Sequence, residues 1–196
     1  MKFVLATANQ GKIREMQEIL SEFDIEIVTR KDLGIEIDVE ETGTTLRENA
    51  LIKAKAICAL SGLPAIADDS GLFVEALNGG PGVYSSTYGG EELDALQRCS
   101  YLLIKMQNAE QRSAKFVCTI VCAFPDGTAL TAEGECTGEI ITKPRGSSGF
   151  GYDPVFLVNG SNRTMAELTP EDKNRVSHRG KALRAFTRML RDRSIV

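Results

Sequence analysis

The sequence predicts an α/β or α+β fold built on a mixed sheet, and three observations carry that prediction. Apolar segments of strand length alternate with segments whose apolar residues recur every three to four positions. One pair of strand-like segments, 114–124 and 129–137, is joined by the short turn Pro125-Asp126-Gly127, a hairpin embedded among helices. The chain has 196 residues, 42% hydrophobic and 26% charged, enough for a substantial core without a disulfide or metal staple.

In chain order, residues 2–7 read as a short buried strand. The polar turn Ala8-Asn9-Gln10-Gly11 then leads into a helix from Lys12, with Ile13, Met16, Ile19 and Leu20 on its apolar face. Residues 25–28 form a second strand, and 36–41 an acidic, partly extended stretch. Thr44 or Thr45 caps the next helix, in the latter case with Glu48 completing a capping box; Gly62 and Pro64 end it near Ser61. A strand over 64–67 leads into Asp68-Asp69-Ser70-Gly71. A glycine-rich loop spans 78–82, and a helix spans 93–106. After the hairpin come a second glycine-rich loop at 146–151 and a short strand through Phe156. From Pro170 the chain is helical, interrupted near Gly180. No repeat or linker divides it, so residues 1–196 are expected to form a single domain.

Composition excludes several function classes. The net charge of −4 argues against a dedicated nucleic-acid binder, which needs surplus Lys and Arg, although a local basic cleft can still take a small polyphosphate. Apolar runs such as 116–124 fall far short of the roughly 20 residues of a membrane helix, and no signal peptide precedes the first strand. Cysteines at 58, 99, 118, 122 and 136 are odd in number, form no CxxC and accompany a single histidine. They read as structural thiols in a reducing cytoplasm.

Four clusters place polar residues at turns, where chemistry usually sits. Thr7-Ala8-Asn9-Gln10-Gly11-Lys12 joins strand to helix, where backbone N–H groups and a lysine suit phosphate, although no Walker loop is present. Glu40-Glu41-Thr42-Gly43 precedes a helix on which Thr45, Asn49 and Lys53 share one face. Asp68 and Asp69 end an apolar strand, where paired carboxylates are costly without a cation, and Mg²⁺ suits them. Strand alternation puts one aspartate in the site and leaves the other to orient its surroundings. Lastly, Gly149-Phe150-Gly151-Tyr152-Asp153 offers an aromatic for base stacking, while Lys173, His178 and Arg179 offer cations and donors.

Six segments in order resemble the inosine triphosphate pyrophosphatase (noncanonical purine nucleoside triphosphate pyrophosphatase) family. They are TANQGK at 7–12, EETGTTLRENALIKA at 40–54, ADDSGL at 67–72, GGPGVYS at 79–85, GFGYDPVF at 149–156 and KNRVSHRGKA at 173–182. The resemblance implies a homodimeric, two-lobed α/β protein with a long central mixed sheet, helices on its flanks and a nucleotide cleft between the lobes. It also implies Mg²⁺-dependent hydrolysis of ITP, dITP and XTP to the monophosphate and pyrophosphate; charge and apolar run length, as above, leave neither nucleic acid nor membrane as an expected partner. By matched motif, residues 7–12 and Lys53 hold the triphosphate. Glu40 is the preferred metal ligand, with Glu41 as alternative. Asp69 is general base and metal ligand, and Ser70 contacts substrate. Phe150, Gly151, Tyr152, Asp153, Lys173, His178 and Arg179 bind base, sugar or phosphates. One departure is visible: Ser86-Thr87 stand where the family commonly has Ala-Arg, which removes a cation from that loop.

Overall fold

A computed structural model describes every residue of the chain except Asp24 and Val196. Its strands are β1 (Lys2–Leu5), β2 (Glu26–Thr29), β3 (Ala65–Val74), β4 (Pro81–Gly82), β5 (Ser113–Ala123), β6 (Ala129–Ile140) and β7 (Phe156–Val158). Its helices are α1 (Gln10–Ser21), α2 (Leu46–Ser61), α3 (Ala95–Lys105), α4 (Pro170–Val176) and α5 (His178–Asp192). The strands are hydrogen-bonded in the order β2-β1-β3-β5-β6-β7, with β4 on β3. β1 pairs in parallel with β2 and β3, whereas β4 and β7 run antiparallel to β3 and β6. The result is an α/β fold with a mixed sheet flanked by helices.

The chain divides into two compact units, and β3, β5 and β6 each contribute a segment to both. The first comprises residues 1–69, 118–134 and 178–196. Here alternation along the strands sorts the core into two layers. Phe3, Leu5, Ile66, Cys118, Ile120 and Cys122 pack with Ile13 and Met16 of α1 and Leu183 and Phe186 of α5. Val4, Ala6, Ala65, Ala67, Val121 and Ala123 pack instead with Ala50, Ala54 and Ile57 of α2. The same alternation continues into Asp68 and Asp69. Asp68 follows Ile66 toward α1 and α5, and Asp69 follows Ala65 and Ala67 toward α2.

The second unit comprises residues 70–117 and 135–177. Its core joins Leu72 and Val74 of β3, Phe116 of β5, Cys136 and Ile140 of β6 and Phe156 of β7 with Cys99 and Leu102 of α3. Arg98, also on α3 and buried, donates to the carbonyls of Tyr88, Gly90 and Leu93 and so fastens the loop that contains Ser86 and Thr87.

Four expectations shift. α1 begins at Gln10, not Lys12, because Asn9 caps it, so Gln10 and Gly11 lie in its first turn. The strand expected over 64–67 extends from Ala65 to Val74 and carries both aspartates within it. Carboxylates disfavour strands, but here each faces a cation that compensates its burial. The helical break falls at Ser177, which is extended (φ −67°, ψ 158°), not at Gly180, which is buried in the first turn of α5. The short strand expected to run through Phe156 starts there. Other predictions hold: Thr45 caps α2 with the Glu48 capping box, and Gly62 ends it in a left-handed conformation. All five cysteines are free and buried. Among the described residues, no helix is long and apolar enough to cross a membrane.

Candidate active site

In the first unit, β1 feeds α1 through residues 6–9, and Gln10, Gly11 and Lys12 open the helix. Asn9 is the N-cap: its side chain accepts the Lys12 N–H at 3.1 Å, while Thr7 Oγ1 accepts the Asn9 N–H at 3.2 Å. Gln10 Nε2 donates to the Ala8 carbonyl. These side chains shape the turn, and the cap directs Lys12 inward, where its Nζ lies 3.1 Å from Asp68 Oδ2. The helix α2 is entered through a second shaped turn. Asn49, almost fully buried, accepts the Gly43 N–H at 2.8 Å. A Cβ on Gly43 would meet Asn49 Oδ1 and Glu48 Cβ at 2.6 Å, so the close approach requires glycine. Of the three residues expected on one face, Thr45 caps, Asn49 fixes the turn, and Lys53 reaches the carboxylates.

Asp68 and Asp69 then occupy different environments. The guanidinium of Arg179 donates to Asp68 Oδ2 through Nε at 3.2 Å and Nη2 at 3.0 Å, and its Nη1 pairs with Glu15 of α1. This makes an alternating row, Glu15–Arg179–Asp68–Lys12. Burial alone would raise the Asp68 pKa, but Lys12, Arg179 and Lys53 together hold it well below the usual carboxylate range. Burial likewise opposes the charge on Arg179, yet Asp68 and Glu15 raise its pKa further. Since the folded-state value of Asp68 lies below its unfolded value near 3.8, its contribution to stability is complete above that pH. It is lost as pH falls from there through the depressed folded value. The acid-side fall of the urea midpoint, measured between about pH 5 and pH 2, is therefore expected to be shallower in Asp68→Asn than in the parent protein.

Asp69 faces Lys53, whose Nζ lies 3.3 Å from Asp69 Oδ1 and 3.1 Å from Glu41 Oε1. Burial raises the Asp69 pKa above the ordinary value, opposed by Lys53 and Lys12 and assisted by Glu41 and Asp68. The pKa of Lys53 is raised: burial disfavours its charge, but Asp69, Asp68 and Glu41 outweigh it. The other oxygen, Asp69 Oδ2, is buried and has no hydrogen-bond partner among the described residues. An unfilled carboxylate oxygen beside a second carboxylate suits a hard divalent cation such as Mg²⁺. The glutamate brought to this point is Glu41, while Glu40 is exposed and outside the ion pairs of the described residues. No group of three or more His, Cys, Asp or Glu among the described residues is arranged to hold a metal. A cation on Asp69 and Glu41 would thus complete its shell with water or phosphate oxygens, as Mg²⁺ commonly does.

In the second unit, the loop Gly149–Asp153 is organised from within. Asp153 Oδ2 accepts the Phe150 N–H at 2.9 Å and Lys173 Nζ at 2.6 Å, and that ammonium lies 4.8 Å from the Phe150 ring centroid. Gly149 has φ +78°, and a Cβ there would stand 2.1 Å from Asp153 Oδ2. Tyr152 OH donates to the Ser85 carbonyl at 2.9 Å, and Ser85 Oγ accepts the Leu72 N–H at 2.8 Å. The Cys99 thiol, pushed up to about 11 by burial, donates to the Gly151 carbonyl at 3.3 Å. Asp153 and Lys173 are thus paired in the interior, while Phe150 and Gly151 are half-buried. Ser70 is half-buried on β3, and His178 is buried at the start of α5 in the first unit.

The sequence reading missed Glu15 and the anchoring role of Ser85. Glu15 lies one turn after Lys12 on the same helix, a spacing that places both on one side. Ser85 closes the quoted GGPGVYS segment but, without coordinates, shows nothing of its contact with Leu72.

Comparison with known proteins extends this picture. A family profile described as the Ham1 family matches residues 3–189. A dITP/XTP pyrophosphatase of Desulfotalea psychrophila is 53% identical over 180 residues, covering 92% of this chain and 81% of that protein. A dITP/XTP pyrophosphatase of Aquifex aeolicus is 48% identical over 201 residues, covering 98% of each. Among solved structures, a HAM1 protein from Coxiella burnetii has a TM-score of 0.89 at 42% identity, covering 98% of this chain and 99% of that one.

Proposed function

The chain belongs to the Ham1 family, and from that membership we propose that it hydrolyses dITP, XTP and ITP to the monophosphate and pyrophosphate. The observation that carries the chemistry is Asp69: a buried carboxylate with one oxygen held near Lys53 and the other without a hydrogen-bond partner among the described residues. A carboxylate made more basic by burial is a competent acceptor for the proton of an attacking water.

In this reading Asp69 orients the water for attack at the α-phosphorus and takes its proton, and pyrophosphate leaves. Lys12 and Lys53 hold triphosphate oxygens, and the segment 7–12, which enters the first turn of α1, presents its backbone to them. Asp69 and Glu41 would hold Mg²⁺, which when bound supplies charge neutralisation at the phosphates. Phe150 offers a stacking face, and Asp153 keeps the loop and Lys173 in place for base selection. Arg179 acts through Asp68, to which it is tied. The same reading includes a homodimer, for which the exposed Tyr84, Leu96 and Ile104 offer apolar surface, and a cytoplasmic location, in keeping with five free buried thiols.

The test is a product assay with ITP, GTP and ATP, with and without Mg²⁺, nucleotides being resolved by ion exchange. Inosine monophosphate and pyrophosphate are expected, strongly favoured over the guanine and adenine products and lost without the metal. Release of the diphosphate and inorganic phosphate would sink the proposed site of attack, and binding of ITP without turnover would sink the enzymatic reading.

A further inference from the structure

We infer that Lys53 is a resident stand-in for the divalent cation: its ammonium holds Glu41 and Asp69 together until a cation takes their oxygens and releases it toward phosphate. The inference rests on the proposed metal site at Asp69 and Glu41 but concerns what this chain does there before the metal arrives.

Three features of the first unit lead to it. Lys53 Nζ lies 3.1 Å from Glu41 Oε1 and 3.3 Å from Asp69 Oδ1, so a single positive charge bridges the two carboxylates. Lys53 is Glu41's polar contact among the described residues, and Glu41 sits in a segment outside any helix or strand. Without that cation, the acidic stretch would lose its tie to β3. Finally, every cation of the cluster already faces a carboxylate: Lys12 faces Asp68, Arg179 faces Asp68 and Glu15, and Lys53 faces Asp69 and Glu41.

That pairing has a consequence for binding. A triphosphate arriving alone would compete with carboxylates for each cation and would meet the surplus negative charge of Asp69 and Glu41. A divalent cation settling on those two carboxylates neutralises them and frees one ammonium for the incoming anion. A lysine suits such an exchange, since a point charge on a flexible stem can turn to a new partner, whereas the planar fork of arginine favours a fixed one. Arg179, which holds buried Asp68 through two nitrogens, shows the contrasting arrangement. The lysine and the cation therefore compete for the same two carboxylates, and nucleotide-free protein should bind metal poorly because of Lys53.

The experiment is Mn²⁺ binding to nucleotide-free protein by calorimetry and electron paramagnetic resonance, comparing the parent with Lys53→Met, Lys53→Gln, Asp69→Asn and the double variant Lys53→Met/Asp69→Asn. Lys53→Met is expected to bind Mn²⁺ about tenfold or more tightly than the parent, because unit charges a few ångströms apart interact by several RT even at an effective dielectric near 20. Its melting temperature should be lower without metal and should gain more on Mn²⁺ addition. Should Lys53→Met fail to fold, Lys53→Gln carries the same comparison, and folding of either variant rescued by Mn²⁺ supports the exchange. Equal or weaker Mn²⁺ binding by both Lys53 variants, with binding still lost in Asp69→Asn, overturns the stand-in role while leaving the metal site intact. Mn²⁺ binding by the double variant Lys53→Met/Asp69→Asn as tight as that of Lys53→Met removes the metal site and the inference with it.

Discussion

Asp69→Asn is expected to fold normally and to lose about 10²- to 10⁴-fold in pyrophosphate release, the range that a positioned general base contributes. The substitution keeps the size of the side chain and an oxygen for Lys53 Nζ to meet, so packing against the α2 layer should survive. What it removes is the negative charge, on which both proton acceptance and cation binding at this carboxylate depend. A melting temperature within a few degrees of the parent, together with the collapsed rate, would locate the loss in chemistry. Near-parent turnover by a folded Asp69→Asn would take the base role away from this residue.

The second large effect concerns stability. Arg179→Met should destabilise the protein by about 3–5 kcal/mol, the usual cost of removing one partner from a buried ion pair. Arg179 is 1% exposed, as is Asp68, and its guanidinium also faces Glu15. Truncation would leave the Asp68 and Glu15 carboxylates near one another without the guanidinium between them, Asp68 still facing Lys12. Urea denaturation reads the effect directly. A role confined to contacting substrate predicts the opposite pattern: a raised KM in a protein of unaltered stability. If Arg179→Met unfolds within about 1 kcal/mol of the parent, the scaffold role is wrong, since that is no more than an exposed pair contributes.

Much of this arrangement was legible in one dimension. The apolar spacing in α1, the Thr45–Glu48 cap of α2 and the hairpin turn before β6 are local features, decided by residues within a few positions of one another. The membership of Lys12, Lys53, Asp68 and Asp69 in polar clusters was equally local, as was the expectation that the two aspartates would part. Alternation in an extended strand compels that separation whatever lies around it.

The partners of those side chains were not legible. Adjacent Glu40 and Glu41 are equivalent by composition, and only the path of the loop into α2, set by Asn49 and the close approach at Gly43, brings Glu41 to Lys53. Asp153, Lys173 and Arg179 looked like groups waiting for a ligand, yet each holds an internal partner: Asp153 the Phe150 amide and Lys173, Arg179 the Asp68 and Glu15 carboxylates. Arg179 and Asp68 stand 111 positions apart, and Arg179 and Glu15 stand 164.

By itself the sequence determined the elements, the family and the set of charged residues, because hydrophobic period, capping and motif order act over short spans. Tertiary structure alone decided which charge neutralises which, and so why β3 can carry two aspartates through its middle. Burial makes an uncompensated charge costly, and the compensating cations come from different helices that packing delivers to the two faces of the strand, α1 and α5 to Asp68 and α2 to Asp69.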